Sequence, residues 1–257
     1  MKKFMLISAL VAGAAPFALQ AEEAKPEPEY TLAGNAGLFS DYRFRGFTQT
    51  GYKFAFQGGV DFSHKSGFYI GNWNSNVEQA LYNGASLEMD FYGGYKMDVG
   101  PVGLDFGYYH YYYPNSGALG TTNIKNGELY VGGSGGPVSA KLYYAVTKFF
   151  SAGDPPSFAN ADTKGSLYLD ISANYEVIKG LTLSGHYGYQ KIKNGKLLFI
   201  DDKVSDYKAG VTYDLSGWLL GGAVIGTSKK NLFTTAKSGF TEGAGKTGVV
   251  LSVSKTF

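Results

Sequence analysis

Cysteine is absent from the 257 residues, which excludes disulfide frameworks, thiolate metal sites and cysteine nucleophiles at once. Charge is scarce, at 17% of residues, and nearly balanced: 23 Lys and Arg stand against 21 Asp and Glu, a net of +2. Two of those lysines, Lys2 and Lys3, open a segment expected to be removed, so the mature chain is neutral and has no electrostatic footprint for nucleic acid. Past residue 30 no apolar run approaches the ~20 residues of a spanning helix. Glycine, 37 in all, interrupts almost every candidate helix. A helical membrane protein and a helical globule are both excluded. Aromatic residues reach 16%, and with so little charge that balance excludes a disordered chain.

Residues 1–21 run from Lys2-Lys3 through an apolar stretch to small residues ending at Ala21, the layout of a secretory signal peptide. The chain is expected to leave the cytoplasm. Residues 22–29 alternate acids with Pro26 and Pro28 and read as a short extended periplasmic spacer. Residues 30–257 read as one domain.

In that domain the dominant period is two, the period of a strand. Leu167, Leu169, Ile171, Ala173, Tyr175 and Val177 share one face, while Ser166, Asp170, Ser172, Asn174 and Glu176 share the other with Tyr168. The split recurs in segments predicted at 31–46, 53–63, 67–77, 85–98, 102–113, 126–135, 138–150, 165–178, 181–192, 204–215, 217–228 and 246–257. The strand number is even. Short connections at 64–66, 99–101, 136–137, 179–180 and 216 alternate with long ones near 114–125, 151–164, 193–203 and 229–245. Short turns at one end, long loops at the other and an even strand number describe a closed, antiparallel, all-β transmembrane barrel of about 12 strands. Both termini fall on the short-turn side, which is expected to be periplasmic, and the localisation expected is the outer membrane. The barrel must close, because an open edge would leave backbone donors unsatisfied in hydrocarbon. Its apolar band then faces lipid and its polar positions face the lumen. The aromatic clusters Tyr108, Tyr109, Tyr111 to Tyr113 and Phe149-Phe150 read as interfacial girdles.

The last strand places Val249, Leu251, Val253, Lys255 and Phe257 on one face. It ends on an aromatic residue and so resembles the carboxy-terminal signal of outer-membrane barrels, which implies recognition of Phe257 by the barrel assembly machinery. Lys255 departs from the usual apolar residue there and would snorkel toward head groups.

Residues 40–77 read SDYRFRGFTQTGYKFAFQGGVDFSHKSGFYIGNWNSNV. With Phe44-Arg45-Gly46, Gln57-Gly58-Gly59, Ser66-Gly67-Phe68-Tyr69, Trp73 and Ser75-Asn76-Val77, this stretch resembles the opening signature of the TorF family of porins. The motif Glu88-Met89-Asp90-Phe91-Tyr92 and the Tyr-rich strand closing on Tyr113-Pro114 are similar to later features of that family. The resemblance implies a Gram-negative outer-membrane barrel of porin type and carries no solute with it.

A twelve-strand barrel at ~4.8 Å spacing and ~40° tilt has a radius of about 12 Å and leaves a passage of about 10 Å at most. Strand alternation points Arg43 and Arg45 inward near the long-loop end, with Asp41 beside them and Glu88 and Asp90 at similar height on the fourth strand. Opposed charges there would select small polar or charged solutes. Equally, the same groups would pair and fill a nearly closed lumen. Asn72, Asn74, Asp105, Lys141, Asp170, His186 and Lys208 are further inward candidates, although Asn72 and Asn74 share a face with Phe68 and Ile70.

Catalysis would need a base beside a nucleophile. His64 falls at a short turn, His186 faces inward beside Ser184, and His110 lies at the lipid face with no Ser or Asp at partner spacing. The glycine run 132–136 lacks the Lys and helix of a phosphate cradle. Segment 154–162 has too few oxygen ligands for calcium. The expectation is passive diffusion of small hydrophilic solutes through a non-enzymatic barrel without cofactors, embedded in outer-membrane lipid, with association between barrels left open. A non-conducting barrel that displays its loops and a lipid-modifying enzyme acting through His110 are the alternatives.

Overall fold

The computed structural model describes residues 28–117, 123–154, 161–198, 201–237 and 240–257, so the expected leader lies outside the described residues. Its strands are β1 (Tyr30–Phe39), β2 (Arg43–Phe44), β3 (Phe47–Thr48), β4 (Ala55–His64), β5 (Phe68–Asn76), β6 (Leu87–Val99), β7 (Val102–Tyr112) and β8 (Lys125–Gly135). There follow β9 (Val138–Ala145), β10 (Leu167–Ile178), β11 (Leu181–Lys191), β12 (Lys203–Leu215), β13 (Trp218–Thr227), β14 (Thr234–Lys237), β15 (Phe240–Gly243) and β16 (Gly248–Thr256). Twelve of these close one antiparallel barrel in which each strand pairs with its sequential barrel neighbours and β16 returns to β1. The pairs β2–β3 and β14–β15 are small hairpins in the long connections.

The predicted even strand count and the sorting of connections are present, with two further long connections, 40–54 and 77–86, at the long-loop end. Glycines at positive φ make the tight turns: Gly67 (φ 103°), Gly100 (62°), Gly136 (57°), Gly180 (81°) and Gly217 (86°). The fold is apolar outside and polar inside. Phe56, Ile70, Phe91, Leu129, Leu183 and Leu251 are exposed, whereas Glu88, Asp90, Asn126 and Glu128 are almost wholly buried. A closed ladder satisfies the backbone within the barrel, and the outer apolar band matches hydrocarbon.

Three expectations need correction. The first strand stops at Phe39 instead of residue 46. The chain then turns inward through Arg45 (φ 47°) and Gly46 (φ 83°), left-handed positions that no strand contains. The aromatic girdle is only half right. Tyr108 and Tyr112 do face outward, but Tyr109, Tyr111 and Tyr113 are at most 2% exposed and fill the interior. Phe149 and Phe150 form a 3-10 turn, Phe149–Ser151, with Phe150 packed on Tyr111 inside the barrel. The third correction concerns β5. Gly71 and Ser75 are buried while Phe68 and Ile70 are exposed, which sets Tyr69 and Trp73 inward and Asn72 and Asn74 outward. Asn72 donates to the Asp90 carbonyl at 2.9 Å and Asn74 to the Asn72 side chain at 2.6 Å, so the two amides satisfy each other's neighbourhood in place of water.

Candidate functional site

The interior is organised by segment 40–54, which folds into the mouth of the barrel at the long-loop end. Its base is fixed by Asp41. That carboxylate accepts from Arg43 and from the hydroxyls of Thr48 and Thr50, drawing the two arms of the β2–β3 hairpin together. Arg43 also donates to the carbonyls of Gly46 at 3.1 Å and Lys246 at 2.8 Å, tying the hairpin to the far connection 228–247.

At the tip, Arg45 crosses the lumen. Its guanidinium meets Glu128 of β8 at 2.7 Å and Gln190 of β11 at 2.5 Å, and it lies 4.0 Å from the centroid of the Tyr168 ring of β10. Gly46 presses on the opposite wall: a Cβ there would fall 2.8 Å from both the Asp206 Cβ and the Gly226 carbonyl. A positive φ and this approach together require glycine. Phe44 packs edge-on against Tyr111 and Phe150, and Tyr42 donates to Glu88 at 3.1 Å. In the neighbouring connection Tyr82 donates to the Gln49 side chain, and burial holds its phenol well above the ordinary value.

Glu88 and Asp90 line the interior as their alternation demands, but neither meets an arginine. Tyr42 and Tyr109 donate to them, and tyrosines wall them off from the rest of the lumen. The partner of Arg45 is Glu128, which is not among the residues expected from the sequence. Its position between Asn126 and Tyr130 on the inward parity of β8 was the available signal. Toward the short-turn end, Lys141 pairs with Asp105 at 2.7 Å, and His186 bridges Asp206 at 2.8 Å and Asp170 at 3.4 Å. The Ser172 hydroxyl contacts that imidazole at 3.1 Å but donates to Asp170 at 2.7 Å, so the cluster is a strut between β10, β11 and β12. His64 caps its own turn with Ser66, and His110 meets the Tyr108 hydroxyl at 3.3 Å on the outer face.

Among the spaces these contacts leave unfilled is a cavity under the hairpin, against the wall of β12, β13, β16 and β1 and open to solvent. The register arranges that wall in rows. Lys208 stands beside Ile225, and below them come Gly210, Ala223 and Val250. Thr212, Gly221 and Ser252 form the next row, and Leu219 with Ser254 the last before the turn at 216–217. Asp41 and Arg43 roof it. The interior is therefore divided: strands β5 to β11 carry tyrosines and paired charges, and the opposite wall is small and mostly uncharged.

No curated protein matches the chain in sequence. Among solved structures, a KdgM porin is similar with a TM-score of 0.53 at 10% identity, covering 88% of this chain and 98% of that one. A KdgM porin in complex with disordered oligogalacturonate is similar to the same degree, with a TM-score of 0.53 at 10% identity over 88% and 98% of the two chains. At that identity the likeness speaks for the fold. Residues 23–257, almost the entire sequence, match the family described as "bacterial protein of unknown function", and the chain accordingly belongs to the Gcw_chp family.

Proposed function

We propose that this protein is an outer-membrane porin-like channel through which small hydrophilic solutes diffuse passively, of the TorF type that residues 40–77 resemble. The observation that carries the reading is the combination of an apolar exterior with an unfilled, polar-roofed cavity along one wall of a closed barrel. An exterior of exposed Phe, Leu and Val needs hydrocarbon around it, and an interior left unfilled along one wall needs a reason not to have been packed. The KdgM likeness, in a barrel solved with an oligogalacturonate, supports an interior that receives hydrophilic solutes. On this reading the short turns and both termini face the periplasm and the mature chain starts after residue 21. Phe257 serves assembly: its backbone pairs with Gly34 at 2.7 and 2.9 Å and its ring lies on the outer surface, open to a recognition partner. The reading is non-enzymatic, and the histidine–carboxylate cluster seen among the described residues serves in it to brace strands.

A second reading, a non-conducting barrel, draws on the Arg45 crossing, which ties the hairpin to β8, β10 and β11. Swelling of proteoliposomes in solutes of graded size separates the two. Swelling in glycerol and small sugars that fades as solute size rises supports the channel; no swelling from a folded, heat-modifiable barrel supports the closed one.

A further inference from the structure

The wall beneath the hairpin is unusual for the inside of a lipid-embedded barrel because β13 is apolar on both faces. Trp218, Leu220 and Val224 face out, as lipid requires, yet Leu219, Ala223 and Ile225 face in, and Val250 of β16 joins them. A lumen that passed only hydrated solutes would gain nothing from this strip, since apolar surface in water is unfavourable. At its head stands Lys208. Among the described residues it makes no ion pair within 4.0 Å. The nearby carboxylates make their direct contacts elsewhere, Asp170 with His186 and Ser172 and Asp206 with His186 and Tyr168, and Asp170 acts on Lys208 only from beyond contact distance; Arg43 in the roof is paired with Asp41. The cavity thus presents an ammonium with no direct ion-pair partner among the described residues, beside Ile225 in the register, with apolar side chains below it. From the Lys208 row to the Thr212 row is four residues, about 13 Å of strand.

We infer that this cavity binds a monoanionic amphipathic solute, a carboxylate on a short aliphatic chain, with its head on the Lys208 ammonium and its chain along Ile225, Ala223 and Val250. The inference deepens the channel reading and rests on it for the route by which the solute arrives. An ammonium with no direct partner matches a single negative head group, and that attraction is stronger inside a protein than in bulk water. The strip then supplies what a sugar or a mineral ion would not use. Gly210 and Gly221 add no side chain to this wall, and the Ser184 and Ser252 hydroxyls lie 2.9 and 2.4 Å from where a Cβ on them would stand.

The test is ligand binding to the full mature barrel in detergent, read by saturation-transfer NMR so that no current is needed. Three probes are compared: hexanoate; gluconate, with the same charge but no apolar chain; and hexanamide, with the chain but no charge. The inference expects hexanoate to bind at least tenfold more tightly than either. Lys208→Gln should lower hexanoate affinity at least fivefold and leave hexanamide unchanged, and Ala223→Phe should abolish hexanoate binding while the barrel keeps its heat-modifiable mobility. Equal binding of gluconate or hexanamide, or a Lys208→Gln variant indistinguishable from the parent, would overturn it. Planar-bilayer current on the same preparation separates the two readings. Hexanoate binding to a silent barrel sustains the site and removes the channel; a conducting barrel without hexanoate preference sustains the channel and removes the site.

Discussion

Arg45 and Glu128, 83 residues apart in the chain, meet at 2.7 Å inside the barrel, both side chains less than a tenth exposed. Through this pair, together with the Gln190 and Tyr168 contacts of the same guanidinium, the tip of a hairpin entering from β1 is held against the far wall, so the open cross-section of the lumen depends in part on one buried ion pair. Leaving one member of such a pair unpartnered costs about 3–5 kcal/mol. Arg45→Ala and Glu128→Gln are therefore both expected to loosen the hairpin and raise swelling or conductance, by an amount that differs little between them. The double variant should be little worse than either single, which a double-mutant cycle on conductance and thermal stability measures. Additive effects would mean that the two residues act separately.

Gly46 offers a second handle on the same device. Its φ of 83° and a virtual Cβ 2.8 Å from the Gly226 carbonyl leave no room for a β-branched side chain. Gly46→Val is expected to unseat the hairpin without disturbing the barrel ladder, at a backbone cost of about 1–2 kcal/mol before sterics. Limited proteolysis checks this: new cleavage within 40–54, with the barrel band still heat-modifiable, is the expected pattern. Unchanged protection would show that the tip does not press on β12 and β13.

The absence of native cysteine makes facing directly measurable. Ala223→Cys should react with a charged, water-borne maleimide, while its neighbour Val224→Cys should not. Asn72→Cys is expected to behave like Val224→Cys despite its polar parent, because β5 turns Trp73 and Ser75 to the lumen. Labelling of Asn72→Cys from water would reverse the phase of that strand.

Much of the barrel was legible because lipid imposes a strict outer alternation, as in Phe54, Phe56, Val60 and Phe62, and because turns and loops sort by end. The hairpin was not. Arg43, Phe44 and Arg45 alternate as a strand would, and only the φ of Arg45 and Gly46 and the Asp41 network break the pattern. The phase of β5 escaped because Gly71 and Ser75, small and buried, leave no apolar contrast against Asn72 and Asn74. Glu128 could not be chosen over Glu88 without knowing how far inward the hairpin reaches. Lys208, in contrast, sits where alternation along β12 puts it, and what the sequence withheld was that its neighbours are occupied.

In the channel reading a narrow passage persists beside a hairpin that Arg45 holds in place, and releasing the hairpin widens it. Single-channel conductance of the refolded mature protein in a planar bilayer, recorded beside Arg45→Ala under a salt gradient, tests it most directly. The parent is expected to show small discrete steps and the variant steps at least twofold larger. Silence from both, in preparations shown to be folded and inserted, would contradict it.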